Sequence, residues 1–279
     1  MQAALEIKRD KLISRMRELG KVVVGFSGGI DSTLALKIAV EALGKENVWA
    51  VTGNSESLLP EELEHCRILG RQIGLVNLIE VHTDELSNPN YRANPVDRCF
   101  YCKHELFSQL QRIAHEVGAA HVIDGSNADD GLDWRPGRRA AGELGVISPL
   151  AESGITKSEI RELAKGYGLP NWDKPALACL SSRIPYGSEV SVEKLSQIAK
   201  AERFLRSLGF TQLRVRHHDN IARIELLKEE MPRLDDRVLL DKVVTKLKKI
   251  GFVYVTLDLQ GFRSGSMNES MTEDRDNDR

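Results

Sequence analysis

The chain has 279 residues, of which 41% are hydrophobic and 29% are charged, and this composition is typical of a soluble globular protein with one large and one smaller domain. The net charge of -2 argues against nucleic acid or an anionic membrane as a general partner. No apolar run approaches the ~20 residues that span a bilayer, and the N-terminus lacks a signal-peptide pattern. We therefore expect a cytoplasmic protein without a membrane segment.

The first half of the chain alternates strand and helix patterns. A predicted amphipathic helix comes first, and the short apolar run that follows it is typical of a buried parallel strand. The predicted helices are 5–19, 34–43, 61–73 and 100–117, and the predicted strands are 22–26, 48–51, 78–81 and 121–124. This alternation predicts an α/β fold with a parallel sheet covered by helices on both faces.

Beyond residue 187 the pattern changes to helix, strand, strand, helix, strand. The predicted elements are 192–208, 212–215, 221–226, 238–250 and 252–257. This order predicts a smaller α+β domain rather than a continuation of the parallel sheet. The predicted domains are 1–186 and 187–263, and the polar, charged tail 264–279 is predicted to be disordered.

A glycine-rich loop follows the first predicted strand directly and leads into a helix. Gly28 and Gly29 let the backbone approach an anion and are expected to reach positive φ, while the helix N-terminus offers unpaired N–H groups to a phosphate. Ser27 and Ser32 add hydroxyl donors. Asp31 is suited to Mg²⁺, because a carboxylate beside polyphosphate would otherwise repel it. The loop therefore predicts a phosphate-binding site rather than a plain glycine turn.

Polar side chains also follow two other predicted strands. Ser57 comes after the second strand, and Asp129 and Asp130 come after the fourth. Ligands bind at the carboxyl edge of open α/β sheets. We therefore expect Ser57 and Asp130 to contact ATP and Asp129 to contact Mg²⁺, with a solvated turn as the alternative for the two aspartates.

Three of the four cysteines lie in settings that suggest chemistry. Cys99 and Cys102 form a Cys-x-x-Cys at a predicted helix start, where the helix dipole favours thiolate. Cys179 follows a proline and small residues, which is typical of a loop. Cys66 lies among apolar residues of a predicted helix and is expected to be buried and inert. In a cytosolic chain such cysteines are expected to bind metal, to act in catalysis or to be buried, rather than to form disulfides.

The loop S-G-G-I-D-S resembles the hallmark of the PP-loop ATP pyrophosphatase superfamily, which activates an acyl oxygen on the α-phosphate of ATP and releases pyrophosphate. It lacks the lysine of the G-x-x-x-x-G-K-[ST] loop. Further runs, spread between about residue 8 and about residue 260, resemble the LarE family of sulfur transferases. These runs are 124–130, 135–137, 148–150, 156–161, 172–175, 179–187 and 213–216.

The LarE resemblance implies an activity and a substrate. The family converts pyridinium-3,5-biscarboxylic acid mononucleotide to its thiocarboxylic form, a step in making a nickel-pincer cofactor, with other biosynthetic proteins acting before and after it. Adenylation gives the carboxylate a good leaving group, so that a sulfur nucleophile can attack. Cys179 matches the family's sulfur-bearing cysteine, which in the sacrificial version loses its own sulfur. The resemblance also implies a homo-oligomer built through the C-terminal domain.

The additional cysteines depart from the sacrificial pattern. By resemblance to superfamily members with three such thiols, Cys99, Cys102 and Cys179 would hold three irons of a [4Fe–4S] cluster and leave one iron open for sulfide. We favour this version over sacrifice of Cys179. A zinc site or a redox pair formed by Cys99 and Cys102 alone is a further alternative.

A group of arginines is predicted to bind the substrate phosphate. Arg214 and Arg216 alternate along a predicted strand and so share one face. Arg183, four residues after Cys179, is suited either to lower the pKa of that thiol or to bind phosphate. A solvated or oligomer-facing strand is the alternative for Arg214 and Arg216.

Three other functions compete with sulfur transfer. An amide-forming PP-loop synthetase shares the ATP chemistry but has no need for three cysteines. A tRNA thiolase shares the sulfur chemistry, although the net charge of -2 and the lack of an added RNA-binding module argue against it. A non-catalytic ATP-binding module has no need for Asp31 together with Asp129 and Asp130.

Overall fold

The chain divides into two compact units. The computed structural model describes residues 2–131, 136–174, 178–263 and 266. The first unit comprises Met1–Tyr91 and Asp97–Leu177, and the second comprises Arg92–Val96 and Ala178–Arg279. Residues 178–186, which the sequence analysis assigned to the larger domain, therefore group with the second unit. The predicted tail 264–279 lies outside the described residues apart from Ser266.

Each predicted helix and strand is present in the predicted order, and the described residues contain four further helices between residues 89 and 166. The helices are α1 Gln2–Leu19, α2 Ile30–Leu43, α3 Pro60–Ile73, α4 Pro89–Arg92, α5 Arg98–Val117, α6 Pro136–Glu143, α7 Pro149–Glu152, α8 Lys157–Gly166, α9 Val192–Ser207 and α10 Arg237–Ile250. The strands are β1 Val22–Gly25, β2 Val48–Asn54, β3 Asn77–His82, β4 His121–Ile123, β5 Leu213–His218, β6 Ile221–Leu226 and β7 Tyr254–Leu257. Among the described residues, no helix combines the length and apolarity needed to cross a bilayer.

The first unit contains a four-stranded parallel sheet with the order β3-β2-β1-β4. Val22 pairs with Val48 on one side of β1 and with His121 on the other, which makes β1 a central strand. Central parallel strands are buried on both faces, which explains the uninterrupted apolar run of β1. The predicted α/β fold class is confirmed.

Helices cover both faces of this sheet. Val22 and Val24 point into a core that includes residues of α1, α2, α3 and α8. Val23, between them, points into the opposite core with Phe107 and Leu110 of α5. The alternation follows from the two-residue period of a strand, and it places α2 and α5 on opposite faces.

The second unit is built on a three-stranded sheet with the order β5-β6-β7. β5 and β6 are antiparallel, whereas β6 and β7 are parallel. Leu213 and Val215 of β5 pack into a core with residues of α9 and α10, so the alternate residues of β5 occupy the other face. This arrangement agrees with the predicted α+β character.

A short excursion joins residues 92–96 to the second unit. The buried Asn94 side chain donates to the carbonyl oxygens of Ile184, Pro185 and Ser188 at 3.2, 2.7 and 3.0 Å. Asn94 adopts φ 55°, a left-handed conformation that asparagine tolerates better than most residues. The Asn94 side chain thus satisfies three backbone carbonyl groups of the loop that follows Cys179.

Candidate active site

The glycine loop turns from β1 into α2 as predicted. Gly28 has φ 69°, and a Cβ there would lie 2.8 Å from the Cys66 sulfur, so both the conformation and the space require glycine. The expectation of positive φ is wrong for Gly29, which has φ -72° and is the N-cap of α2. The hydroxyl groups of Ser27 and Ser32 lie 3.1 Å apart, so the loop brings both predicted donors together.

Two distant residues hold this loop in place. The Asn171 side-chain amide donates to the Gly28 carbonyl and to the Thr33 hydroxyl, both at 3.0 Å. Gly125, the second residue after β4, packs against the start of α2, where an added Cβ would lie 2.5 Å from the Ser32 nitrogen. Asn171 and Gly125 were not among the predicted site residues, because contacts between residues so far apart in the chain produce no recognisable spacing in the sequence.

Asp31 is engaged by a lysine from α8. The Lys157 ammonium lies 2.7 and 2.5 Å from the two carboxylate oxygens of Asp31. Thr156 and Glu159 form a reciprocal capping box at the start of α8, which positions Lys157 as the first helical residue. The sequence signature T-x-x-E was available at 156–159 but was not used to predict this helix.

The two aspartates after β4 have different settings. Asp129 is exposed, and its carboxylate accepts the backbone N–H of Lys157 at 2.7 Å, so it contacts the same residue whose side chain pairs with Asp31. Asp130 is buried, and its carboxylate accepts the Asn127 N–H at 3.0 Å. Lys157 therefore contacts Asp129 through its backbone and Asp31 through its side chain, while Asp130 contributes to the turn.

Ser57 lies at the carboxyl edge of β2, as expected, and contacts a carboxylate that the sequence analysis missed. Its hydroxyl donates to Glu85 at 2.8 Å and lies 2.9 Å from the Ser55 hydroxyl. Glu85 is 2% exposed, and within the described part of the chain its second oxygen has no hydrogen-bond partner. The edge of β2 thus carries hydroxyl donors and an unsatisfied acceptor.

The donors around the loop suit a hard divalent cation. Mg²⁺ prefers one or two carboxylates together with the phosphates of a substrate. Asp31 and Asp129, which both contact Lys157, supply such carboxylates. Over the described residues no group of three or more His, Cys, Asp and Glu side chains could hold a metal by itself. The residues fit a cation that arrives with a nucleotide better than a resident one.

The Cys-x-x-Cys pair lies in the first turns of α5, within the first unit. Cys99 is exposed and Cys102 is partly buried, and their spacing of three residues directs both to the same side of the helix. Neighbouring residues of α5, including the two between the cysteines, line a cavity of about 480 Å³. The cavity is lined by Asp84, Ser87, Asn88, Phe100, Tyr101, His104 and Glu105.

Cys179 belongs to the second unit, where its backbone is fixed and the residue is exposed. The Cys179 carbonyl accepts from the Arg183 guanidinium at 2.9 Å and from the Ser182 hydroxyl at 2.8 Å. Arg183 is 1% exposed and also forms two hydrogen bonds to Glu202 at 2.9 and 3.2 Å. A buried ion pair thus supports the loop that presents Cys179.

Glu202 lies fully buried among the guanidinium groups of this network. Burial by itself raises the pKa of Glu202, but the guanidinium groups of Arg183 and Arg206 outweigh that effect and hold this pKa below its ordinary value. The bonds of Arg183 are made to protein groups. Its predicted contact with a substrate phosphate stays a prediction.

Arg214 and Arg216 share one face of β5, but they differ in their partners. Arg216 is buried and forms two hydrogen bonds to Glu225 at 2.9 and 2.8 Å and one to Ser266 at 2.8 Å. Arg214 is partly buried, and burial together with the nearby Arg183 lowers its pKa to about 10. Arg214 is therefore the better suited of the two to receive an anion, since an anion would offset both effects.

Cys66 is buried against the phosphate loop, as predicted. Burial raises the pKa of its thiol to about 11, so the thiolate is disfavoured there. The neighbouring His65 has a pKa lowered by burial and then by Lys174, and its Nε2 atom has no partner among the described residues. Cys66 therefore acts as a small apolar side chain that packs beneath Gly28.

These features define the class of protein. The central strand of the parallel sheet leads through the S-G-G-I-D-S loop into the N-terminus of α2. Carboxylates follow the carboxyl ends of β3 and β4 in the same sheet. This is the nucleotide-binding arrangement of a PP-loop domain. In agreement with it, the NAD synthase family matches residues 7–88.

Relatives that match nearly the whole chain specify the family. The pyridinium-3,5-bisthiocarboxylic acid mononucleotide synthase of Lactiplantibacillus plantarum is 43% identical over 97% of this chain and 97% of its own length. An uncharacterized protein of Synechocystis is 48% identical over 96% of this chain and 100% of its own length. A glutamine-hydrolyzing GMP synthase component of Archaeoglobus fulgidus is 27% identical over 70% of this chain and 68% of its own length.

The chain belongs to the pyridinium-3,5-bisthiocarboxylic acid mononucleotide synthase family, which is the LarE family. The resemblance stated from the sequence motifs is thereby confirmed. The match to the NAD synthase family covers residues 7–88, which include the phosphate loop.

Proposed function

We propose that this protein is an ATP-dependent sulfur transferase that converts pyridinium-3,5-biscarboxylic acid mononucleotide to the thiocarboxylic form through an acyl-adenylate. The observation that carries the proposal is the 43% identity to the named synthase over almost the full length of both chains. The phosphate loop and the presented Cys179 thiol supply the two chemical functions that such a reaction needs.

The first unit performs the activation in this scheme. A substrate carboxylate oxygen attacks the α-phosphorus of ATP, and the bond from that phosphorus to the bridging oxygen breaks, so that pyrophosphate leaves. Ser27, Ser32 and the N–H groups at the start of α2 bind the phosphates. Asp31 and Asp129 would hold Mg²⁺, which offsets the phosphate charge when it is bound. Ser57 and Asp130 complete the ATP site.

The second unit presents the thiol that serves sulfur delivery to the activated acyl group. A sulfur nucleophile attacks the acyl carbon, and AMP leaves with the former carboxylate oxygen. Cys179 is exposed, and Arg183 fixes its backbone by donating to its carbonyl oxygen. Both features support a role of the Cys179 thiol in this delivery. Cys99, Cys102 and Cys179 would hold a [4Fe–4S] cluster, which would supply a sulfide at its open iron. Without a cluster, the Cys179 thiolate itself attacks the acyl carbon, and the Cβ–S bond of Cys179 then breaks by elimination, so that the sulfur stays on the product and dehydroalanine remains in the chain.

Charge on the second unit supports binding of the mononucleotide phosphate. Arg214 is the arginine with the strongest case, because burial and its cationic neighbours lower its pKa to about 10. Arg183 and Arg216, the other two predicted phosphate ligands, are paired with Glu202 and Glu225, which leaves Arg214 as the main candidate. The exposed apolar side chains Val238 and Tyr254, 78% and 62% exposed, support the proposed homo-oligomer through this unit.

The test is a single-turnover assay on the full chain purified without oxygen. Iron, acid-labile sulfide and the visible spectrum are recorded first. ATP and the biscarboxylic mononucleotide are then added, pyrophosphate and the thiocarboxylic product are quantified, and the chain is weighed by mass spectrometry. Pyrophosphate release that depends on the acid substrate is expected.

The outcomes separate the versions of the proposal. Bound iron with an unchanged chain mass supports delivery from a cluster, whereas a loss equal to the mass of H₂S at Cys179 supports sacrifice. A Cys66→Ala variant, which removes the buried thiol that has no part in the scheme, should retain product formation. Absence of pyrophosphate release with the acid substrate would refute both versions.

A further inference from the structure

We propose that Phe262 is a positioning residue of the substrate-phosphate site, whose ring holds the Arg214 guanidinium in place for the phosphate of the mononucleotide. The inference rests on the proposed function, in which Arg214 binds that phosphate. The Arg214 Cζ atom lies over the Phe262 ring, 5.1 Å from the ring centroid. Phe262 was not among the predicted site residues.

Arg214 forms no ion pair with any described residue, although it lies beside a carboxylate. In the register of β5 and β6 it stands directly opposite Glu225. Glu225 pairs instead with Arg216 at 2.8 Å and with Arg223 at 3.4 Å. Arg214 donates to the Leu213 carbonyl at 2.8 Å. A guanidinium has five N–H donors, so a bond to one carbonyl leaves donors for an anion.

An aromatic ring can hold a guanidinium without using those donors. The attraction acts between the cation and the face of the ring, and it is stronger where water is excluded. The Phe262 ring also shields one side of the guanidinium, and a shielded charge interacts more strongly with an anion. In agreement with such shielding, burial and then the nearby Arg183 lower the pKa of Arg214 to about 10. The ring therefore restricts Arg214 and strengthens its interaction with a phosphate.

The chain after β7 places Phe262 by backbone contacts. The Phe262 N–H donates to the Leu226 carbonyl at 2.7 Å. Gly261 has φ 73°, and a Cβ there would lie 2.8 Å from the same carbonyl oxygen, so this position requires glycine. Further along, the buried Ser266 hydroxyl accepts from Arg216 at 2.8 Å. Residues 262 and 266 are thus both held at the face of the sheet that carries the arginines.

A packing role explains Phe262 less well than it explains Phe210. Phe210 is 2% exposed and belongs to the apolar core of the second unit, with the Arg233 guanidinium 4.2 Å from its ring centroid. Arg233 donates to two backbone carbonyl groups just after α9. Phe262 is only partly buried, and within the described ranges it is not among the residues that form or border this core. Its ring therefore contacts a cation that can serve a ligand, whereas Phe210 and Arg233 stabilise a turn.

The experiment compares Phe262→Leu, which keeps apolar bulk without the ring, with Phe262→Tyr, which keeps the ring. The matched control is Phe204→Leu, because Phe204 is also partly buried in this unit and has the Lys246 ammonium 6.0 Å from its ring centroid. The full-length variants are titrated by calorimetry without ATP. The ligands are the biscarboxylic mononucleotide, its nucleoside, which lacks the phosphate, and inorganic phosphate.

We expect Phe262→Leu to bind the mononucleotide and inorganic phosphate about three- to tenfold more weakly than the wild type. Phe262→Tyr and Phe204→Leu should stay within about twofold of the wild type, because both keep a ring over Arg214. Binding of the nucleoside should be the same in all of these proteins.

A double-mutant cycle with Arg214→Met separates positioning from direct contact with the substrate. If the ring acts through Arg214, Phe262→Leu should change the affinity for the mononucleotide by less than about twofold once Arg214 has been replaced. A ring that stacks on the substrate itself would cost the same affinity in both backgrounds and would also weaken binding of the nucleoside. That result would overturn the inference.

Unchanged affinity of Phe262→Leu for the mononucleotide and for inorganic phosphate would also overturn it, as would a wild type that binds neither. If Phe262→Leu lacks a native circular dichroism spectrum, Phe262→Met is titrated in the same way. Wild-type protein that binds the mononucleotide but forms no thiocarboxylic product would contradict the proposed function. The expected losses in Phe262→Leu would leave this inference standing in that case.

Discussion

The two units use ion pairs in opposite ways. In the first unit, Lys157 and Asp31 form a pair whose side chains are 31% and 28% exposed. In the second, Arg183 and Glu202 form a pair whose side chains are 2% and 0% exposed. A partly exposed pair can exchange partners with a ligand at low cost, whereas a buried pair cannot lose one member without leaving an unpaired charge.

The two ion pairs therefore have different roles, although both join a basic side chain to a carboxylate. The exposed pair lies at the loop where a charged ligand must enter, so its charges are available to that ligand. The buried pair fixes the backbone that presents the Cys179 thiol, so its charges serve position rather than binding. A carboxylate with a cation beside it therefore indicates a ligand site only when its exposure allows exchange.

Removal of the buried guanidinium should have the largest effect. Arg183→Met leaves Glu202 fully buried without its main partner, and we expect the free energy of unfolding to fall by about 3–5 kcal/mol. Urea denaturation followed by circular dichroism measures this change. The loop that carries Cys179 should also become more sensitive to proteolysis.

The matched control for this prediction is Arg92→Met in the same unit, where Arg92 pairs with Glu189 at exposures of 52% and 56%. This exposed pair should contribute at most about 1 kcal/mol. Equal losses in the two variants would show that burial does not separate the two kinds of pair, and the comparison would fail.

An intermediate effect is expected at the phosphate loop. The Cβ of a Gly125→Ala variant would lie 2.5 Å from the Ser32 nitrogen, so the start of α2 must shift. We expect a loss of about 1–3 kcal/mol in the free energy of unfolding together with weaker MgATP binding. Thermal denaturation and calorimetry measure the two effects.

Gly166→Ala is the matched control for this substitution. A Cβ at Gly166, the last residue of α8, meets nothing within 4 Å. Alanine there should stabilise the helix by roughly 0.5–1 kcal/mol. If Gly125→Ala binds MgATP as tightly as the control does, the close approach of Gly125 to the start of α2 has no role in the site.

The smallest effect is a pH dependence of the second unit. Burial and then Lys194 lower the pKa of His217, and burial and then Arg223 lower that of His218. The folded state therefore binds fewer protons than the unfolded state between the lowered values and the ordinary value near 6.5. Stability should be complete above that ordinary value and should decrease as pH falls through this window.

Urea midpoints measured in steps from pH 8 to pH 5 test this pH dependence. The double variant His217→Gln/His218→Gln should lose part of the slope below pH ~6.5, because glutamine does not titrate. An identical slope in the wild type and the double variant would assign the acid sensitivity to other groups.

Much of the fold was readable from the sequence because its signals are local. Continuous apolar runs predicted β1 and β2, and helical spacing predicted α5 and α10 with ends close to those observed. Helix α8 was missed although its capping box was visible at 156–159, because its motif was read only as family resemblance. The positive φ predicted for Gly29 was also wrong, since either of two adjacent glycines can adopt the left-handed conformation of the turn.

The candidate site was readable only in part. The loop residues and the exposed Cys179 follow from motifs, and the structure brings Ser27 next to Ser32. The partners of Asp31 and Gly28 could not be predicted, because Lys157 and Asn171 reach them across 126 and 143 residues. Such contacts depend on how helices pack on the sheet and leave no spacing in the chain.

The sequence by itself determined the alternating α/β order, the nucleotide loop and the family, because strand periodicity and a contiguous six-residue motif need no tertiary information. Only the tertiary structure decided that Lys157 neutralises Asp31, that Gly125 must lack a side chain, and that Arg183 supports the Cys179 loop from inside the second unit. The physical reason is burial: the same arginine or lysine binds a ligand or fixes a backbone according to how much water reaches it, and packing alone sets that access.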